Sequence, residues 1–170
     1  MIYVDLDDTL SDMTPYALEY LGVRDYDPTI WTLNKHILWP ERRIWNHLGM
    51  DFWSTMPKSV DFERLVGMLP TFTVLTALPP FNYHDCINGK LEWMDKHLND
   101  VKIIFSNAKE RYADPKSILI DDSEINIQRF NESLGLGFLV PRPWNKGISI
   151  FDKLQLHLAP LERAENIQLH

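Results

Sequence analysis

Cysteine is almost absent from this chain: Cys86 is the single one in 170 residues. With no partner it cannot form an internal disulfide, so nothing demands an oxidising compartment. Long apolar runs are missing too, and no window approaches the roughly 18 residues that a membrane helix needs. Positive charge is scarce beside negative, 17 Lys and Arg against 24 Asp and Glu, for a net charge of −7. Such a chain is a poor ligand for polymeric nucleic acid or an anionic membrane, although a few placed cations can still hold a small phosphate. Carboxylates begin at position 5, where a secretory leader would carry positive charge and then an apolar run. There is no internal repeat and no low-complexity segment, and the six histidines show no metal-ligand spacing. A soluble, cytoplasmic protein is expected, and a homodimer is compatible with the sequence.

What is present is ordinary for a globular domain. Hydrophobic residues make up 45% and charged residues 24%, enough apolar area to offset the entropy of ordering the chain. Short apolar runs read as buried parallel strands: Ile2–Asp5, Phe72–Thr76, Val101–Phe105, Ser117–Asp121 and Leu136–Val140. Helical patterns separate most of them. Ile87, Leu91, Met94 and Leu98 fall on one helix face, as do Ile125, Ile127, Phe130 and Leu134 before Gly135, and Ile150, Phe151, Leu154 and Leu158. Strands alternating with helices predict an α/β fold, a Rossmann-like parallel sheet with helices on both faces.

Residues 12–70 break that alternation. Thr14-Pro15 reads as a helix N-cap followed by proline, with Ala17, Leu18 and Leu21 behind it. Pro40 opens a second helical pattern containing Ile44, Trp45 and Leu48, and Ser59 caps a third containing Phe62, Leu65, Val66 and Leu69. The expected organisation is an α/β core over 1–11 and 71–158, a helical cap over 12–70 and a polar C-terminal tail over 159–170.

The first strand ends in Asp5-Leu-Asp7-Asp8-Thr9. Three carboxylates in four residues repel one another, and the carboxyl end of a strand is where open α/β sheets bind ligands. A hard cation that prefers oxygen, magnesium above all, would offset the charge. The plain alternative is a surface turn in which Asp7 and Asp8 cap the next segment. Asp121-Asp122 ends another apolar strand and is followed by Ser123 and Asn126. Asp122 or Ser123 can cap the following helix while the other carboxylate stays free for metal. Between the acidic pairs lie Thr76 at a strand end and Lys90 at the beginning of the helix that follows.

Taken in order, Asp5-Leu-Asp7-Asp8-Thr9, Thr76, Lys90 and Asp121-Asp122 resemble the four motifs of the haloacid dehalogenase superfamily of phosphohydrolases. The insertion after the first strand resembles that superfamily's cap. Within it the sequence is most similar to the 5′(3′)-deoxyribonucleotidase family and its phage and bacterial relatives. The likeness rests on Phe52-Trp53-Ser-Thr-Met, Cys86-Ile-Asn-Gly-Lys90-Leu-Glu-Trp93, Ile118-Leu-Ile-Asp121-Asp122 and Leu139-Val-Pro-Arg-Pro-Trp144-Asn145. Asp8-Thr9 replaces the Gly-Val of those nucleotidases, and Ala77 replaces the hydroxyl they carry beside the threonine.

The resemblance implies Asp5 as nucleophile, Asp7 as general acid and base, Thr76 as a phosphoryl hydrogen-bond donor, and Lys90 as the charge that offsets both phosphoryl group and Asp5. It implies magnesium between Asp5, the backbone carbonyl of Asp7 and Asp122. Asp121 stands behind them and Asn126 holds a metal-bound water. Thr9 and the backbone at Ala77 would contact substrate. Lys109, after the third strand, either touches phosphate or is solvated. Trp31, Trp39, Trp45, Phe52 and Trp53 make the cap aromatic-rich. Most should build its core, with one or two of Trp45, Phe52 and Trp53 walling a nucleobase. The expected substrate is a nucleoside or deoxyribonucleoside monophosphate. Another small phosphate ester, a nucleic-acid 3′-phosphate, or phosphate binding with little turnover are the alternatives.

Overall fold

The computed structural model describes residues 1–30 and 41–167. Strand β1 (Ile2–Val4) lies at the centre of a five-stranded, wholly parallel sheet. Its neighbours are β2 (Thr73–Thr76) and β4 (Ile118–Asp121), with β3 (Lys102–Phe105) and β5 (Leu136–Leu139) outside them, in the order β3-β2-β1-β4-β5. Both β2 and β4 are buried at every position, which is why they read as unbroken apolar runs. The chain leaves β1 toward β2 on one side and later returns to β4 on the other. Ligand crevices form at such a switch point, beside the carboxyl ends of β1, β2 and β4. This is the Rossmann-like α/β sheet that the alternating pattern predicts.

The helix after β2, which follows the insertion, is α5 (Tyr83–His97); α6 (Glu124–Glu132) follows β4, and α7 (Phe151–Ile167) follows β5. A 3-10 turn at Lys109–Tyr112 follows β3. The apolar stripe expected on α5 is rotated: Leu91 is 45% exposed whereas Lys90 is completely buried. Inward-facing positions are instead Cys86, Gly89, Lys90, Trp93 and Met94. On α6, Phe130 faces the core while Ile125 and Leu134 are exposed. Gly135 does not supply the left-handed residue after α6; Leu134 does, at φ 73°. Glycine is needed at 135 for space, because a Cβ there would lie 2.2 Å from the Phe130 ring. Helix α7 runs past Leu158, where the apolar stripe ends, to Ile167.

The insertion contributes α1 (Met13–Tyr20), α2 (Glu41–His47), α3 (Met50–Ser54) and α4 (Phe62–Met68). Trp31, Trp39 and Pro40 lie outside the described residues. Thr14 is not the N-cap of α1 but its second residue, and Asp12 stands at the cap position. Ser59 does not cap α4 either; Asp61 holds that place, and the Ser59 hydroxyl donates to the Thr9 carbonyl at 2.6 Å. The segment 57–59 returns beside Leu10–Asp12, with an antiparallel bridge between Ser11 and Lys58. Helix α3 packs directly on α5. A Cβ at Gly89 would meet the Trp53 Cβ at 2.4 Å and the Met50 carbonyl at 2.6 Å, so only glycine lets the two helices approach this closely. One apolar core therefore runs from Val4 and Val74 through Trp93 into Phe52, Trp53, Ile44 and Leu48 of the insertion.

Candidate active site

The loop after β1 is held by an acid that replaces glycine. Asp8 sits at φ 55°, in the left-handed region that short polar side chains tolerate best after glycine. Its carboxylate accepts from the backbone N–H of Thr14 at 2.7 Å and from its hydroxyl at 2.5 Å, tying the loop to the first turn of α1. Arg142, from the loop after β5, closes the other side. Its Nε donates to the Asp8 carbonyl at 2.6 Å, its Nη2 to the Thr9 carbonyl at 3.2 Å and its Nη1 to Asp61 at 3.1 Å. One guanidinium thus joins the loop to the start of α4.

Two lysines divide the carboxylates between them. Lys109 is buried, with Nζ 2.7 Å from Asp5 and 2.6 Å from Asp121. Burial alone would lower its pKa, but the charges of Asp121 and Asp5 outweigh burial and push it up. The expected alternative of a solvated Lys109 does not hold. Lys90 donates to Asp7 at 2.6 Å, to the Thr76 hydroxyl at 2.8 Å and to the Ala77 carbonyl at 3.0 Å. The lysine on Asp5 is therefore Lys109, and Lys90 pairs with Asp7 instead. The spacing of carboxylates and lysines gave no means of choosing, because both lysines follow strand ends.

Among the described residues, the second oxygen of Asp7, Oδ1, is buried with no partner, and the Thr9 hydroxyl is in the same state. Thr9 is wholly buried, and its carbonyl serves Ser59 and Arg142. Asp121 accepts from the Ser123 N–H at 2.8 Å and from Asn126 Nδ2 at 3.1 Å, so Asn126 is committed to that carboxylate. Ser123 caps α6 through its hydroxyl, leaving Asp122 out of the cap. Trp144 Nε1 donates to Asp122 Oδ2 at 3.1 Å, and Asn145 Nδ2 to the Asp122 carbonyl at 2.8 Å. Thr14, Arg142, Trp144 and Asn145 are the residues at this site to which the sequence assigned no such part. The proline-flanked Arg142 and Trp144 directly after a strand were the available signal.

The aromatic residues of the insertion are less accessible than expected. Phe52 is completely buried and stacks on Tyr16 at 5.2 Å. Trp53 is 2% exposed, donates Nε1 to the Leu48 carbonyl at 3.0 Å, and lies 5.1 Å from Lys90 Nζ. Neither presents a face to a nucleobase, because both are spent on joining α3 to α1 and α5. Trp45, half-buried, lies parallel to Trp53 at 6.4 Å.

Asp5, Asp121 and Asp122 each offer an oxygen within 4.8 Å of the others, and all three residues are buried. One ammonium, that of Lys109, serves this group. An all-oxygen donor set with excess negative charge fits a hard divalent cation. Burial raises the Asp5 pKa to about 7, aided by Asp121 and Asp7 and opposed by Lys109. Burial raises Asp8 to about 7 against the two bonds from Thr14, and raises Asp122 well above its ordinary value with help from Asp8, Asp121 and Asp5. These folded pKa values exceed the unfolded ones, so the folded state retains protons that the unfolded state has released. Stability of the metal-free protein should therefore fall as pH rises from about 4 to about 7. A divalent cation binds the ionised carboxylates and should raise the melting temperature more at pH 7.5 than at pH 5. Thermal melts in chelator and in millimolar magnesium at the two pH values check this; equal shifts would refute it.

No protein-family model matches the chain, and no curated relative does. Among solved structures, a hydrolase from Pseudomonas syringae aligns over 98% of this chain and 98% of that chain, with 13% identity and a TM-score of 0.49. A HAD-superfamily hydrolase, subfamily IA, variant 1, from Geobacter sulfurreducens aligns over 91% of this chain and 95% of that chain, with 12% identity and a TM-score of 0.49.

Proposed function

We propose that this protein is a magnesium-dependent phosphomonoesterase of the haloacid dehalogenase type, acting through an aspartyl-phosphate. The observation that carries the reading is the division of labour at one strand end: Asp5 on Lys109, Asp7 on Lys90. Asp5 and Asp7 stand two residues apart in the loop just past β1, close enough in the chain to serve one phosphoryl group. Their separate environments suit separate tasks.

In the first step an oxygen of Asp5 bonds to phosphorus as the ester P–O bond breaks, and Asp7 delivers a proton to the leaving oxygen. The unpartnered Asp7 Oδ1 is the atom available to carry that proton. In the second step Asp7 takes a proton from water. The water oxygen bonds to phosphorus, and the bond from phosphorus to Asp5 breaks, releasing phosphate and regenerating the carboxylate. Lys109 holds Asp5 in place throughout, and Thr76 and Lys90 present donors beside Asp7. Magnesium held by Asp5, Asp122 and the Asp7 carbonyl, with Asp121 behind them, would supply positive charge to the phosphoryl oxygens.

The substrate we infer is a nucleoside monophosphate, a deoxyribonucleotide by the resemblance of the 52–56, 86–93 and 139–145 segments. A phosphatase screen over nucleotides and sugar phosphates, with and without chelator, tests both levels. Asp7→Asn should keep phosphate binding and lose about 100- to 10,000-fold in kcat, the usual contribution of a general acid–base group. A loss under about threefold would remove Asp7 from that role.

A further inference from the structure

A cavity of about 320 Å³ opens between the start of α1 and the loop after β5. Its walls are largely apolar: Pro15, Pro28, Val60, Pro143 and Trp144 among them. Two of its residues reach the acidic cluster directly. Trp144 Nε1 lies 3.1 Å from Asp122 Oδ2, and Thr14 donates twice to Asp8. The cavity is thus one residue removed from Asp8, through Thr14, and from Asp122, through Trp144, and lies at the low end of the size range of small-molecule pockets.

The chemistry of the wall narrows the occupant. Proline rings and an indole offer flat apolar faces, which favour a planar ring over a flexible polyol. Arg142, the one cation among the described lining residues, already donates to the Asp8 and Thr9 carbonyls and to Asp61. A second phosphate therefore finds no uncommitted cation here, and Asp12 on the same wall repels one. The aromatics of α3 do not compete for the ring, since Phe52 and Trp53 are buried in the core.

We propose that this cavity receives the leaving group of the substrate, and that the group is an uncharged planar ring system, such as a nucleobase with its sugar, packed against Trp144. The proposal rests on the phosphomonoesterase reading and moves ring recognition from the aromatics of the insertion to the loop after β5.

The test uses the full chain and two kinds of measurement. Turnover is compared for ring-bearing esters, thymidine 5′-phosphate and phenyl phosphate, and for ringless glycerol 1-phosphate. Binding of thymidine and of phenol, with no phosphate present, is followed by titration calorimetry. Trp144→Ala should lower kcat/KM for the ring esters relative to glycerol phosphate by about 5- to 150-fold, mostly through KM, the range that loss of a stacking aromatic gives. Trp144→Phe keeps a ring but loses the bond to Asp122, and should recover most of that preference. Val60, 88% exposed at the mouth, allows an independent probe: Val60→Trp should narrow the entrance and lower the same ratio. The idea fails if Trp144→Ala and Trp144→Phe are equally impaired, because the indole would then act only through Asp122. It fails too if the ratio is unchanged in Trp144→Ala and Val60→Trp while glycerol phosphate is hydrolysed. Should no ester be hydrolysed, the phosphatase reading falls and calorimetry still decides the cavity. Thymidine or phenol binding that Trp144→Ala weakens supports it, and absence of binding overturns it.

Discussion

Asp5→Asn should give a folded protein with turnover reduced at least about 10,000-fold, the scale on which loss of an essential nucleophile is felt. An amide oxygen still accepts the Leu6 N–H, which lies 2.8 Å from Asp5 Oδ1, and still faces Lys109. It cannot form the acyl phosphate. Folding should survive, because Asp5 is 6% exposed and crowded by Asp121 and Asp7, and losing its charge relieves that repulsion. Denaturation midpoints in chelator should shift by no more than about 1 kcal/mol, the size of one ordinary hydrogen bond. Activity within tenfold of the unsubstituted protein, measured on an aryl phosphate, would sink the nucleophile assignment.

Lys109→Met should damage both stability and rate. Its ammonium is the charge between Asp5 and Asp121, and its side chain is 3% exposed. Removing one member of a buried ionic group leaves the others uncompensated, at a cost of about 3–5 kcal/mol. The sign with pH follows from the raised Lys109 pKa. Its stabilisation is present below the unfolded lysine value of about 10.4 and is lost only as pH rises beyond the folded one. The deficit should therefore be full above about pH 7, and it should shrink as pH falls through that value and Asp5 gains its proton. Lys90→Met makes the informative contrast, because that lysine serves Asp7 and Thr76 rather than Asp5. Urea denaturation of the two variants at pH 4.5 and 7.5 separates these effects. An unchanged midpoint for Lys109→Met at pH 7.5 would show that the pair contributes nothing to the fold.

Much of the site was legible because its residues are adjacent in sequence. Asp5 and Asp7, and Asp121 and Asp122, announce themselves as acids at the ends of apolar runs, and parallel pairing of β1 with β4 brings those ends side by side. Lys109 was not legible in the same way. A lysine four residues past β3 suits phosphate contact and a solvated surface equally, and only the 3-10 turn at Lys109–Tyr112 carries it inward. Lys90 was expected on Asp5 and lies on Asp7 and Thr76 instead, since spacing cannot say which of two neighbouring acids a long side chain will meet. Phe52 and Trp53 misled because an aromatic residue suits a core and a binding wall equally well. Their burial depends on Gly89, whose missing side chain admits α3 to α5.

The sequence by itself determined the strands, the α/β alternation and the two acidic strand ends, because each rests on local periodicity and on charge that cannot be buried without compensation. Tertiary structure alone decided the partners. It rotated α5 so that Lys90 faces inward and Leu91 outward. It used Asp8 rather than Thr14 to satisfy the start of α1, and it brought Arg142 across from the loop after β5 to the carbonyls of Asp8 and Thr9. The physical reason is common to all three. A side chain's pattern of donors and acceptors is written in its chemistry, but the group that satisfies it is set by which backbone segments pack together, and those segments are far apart in the chain.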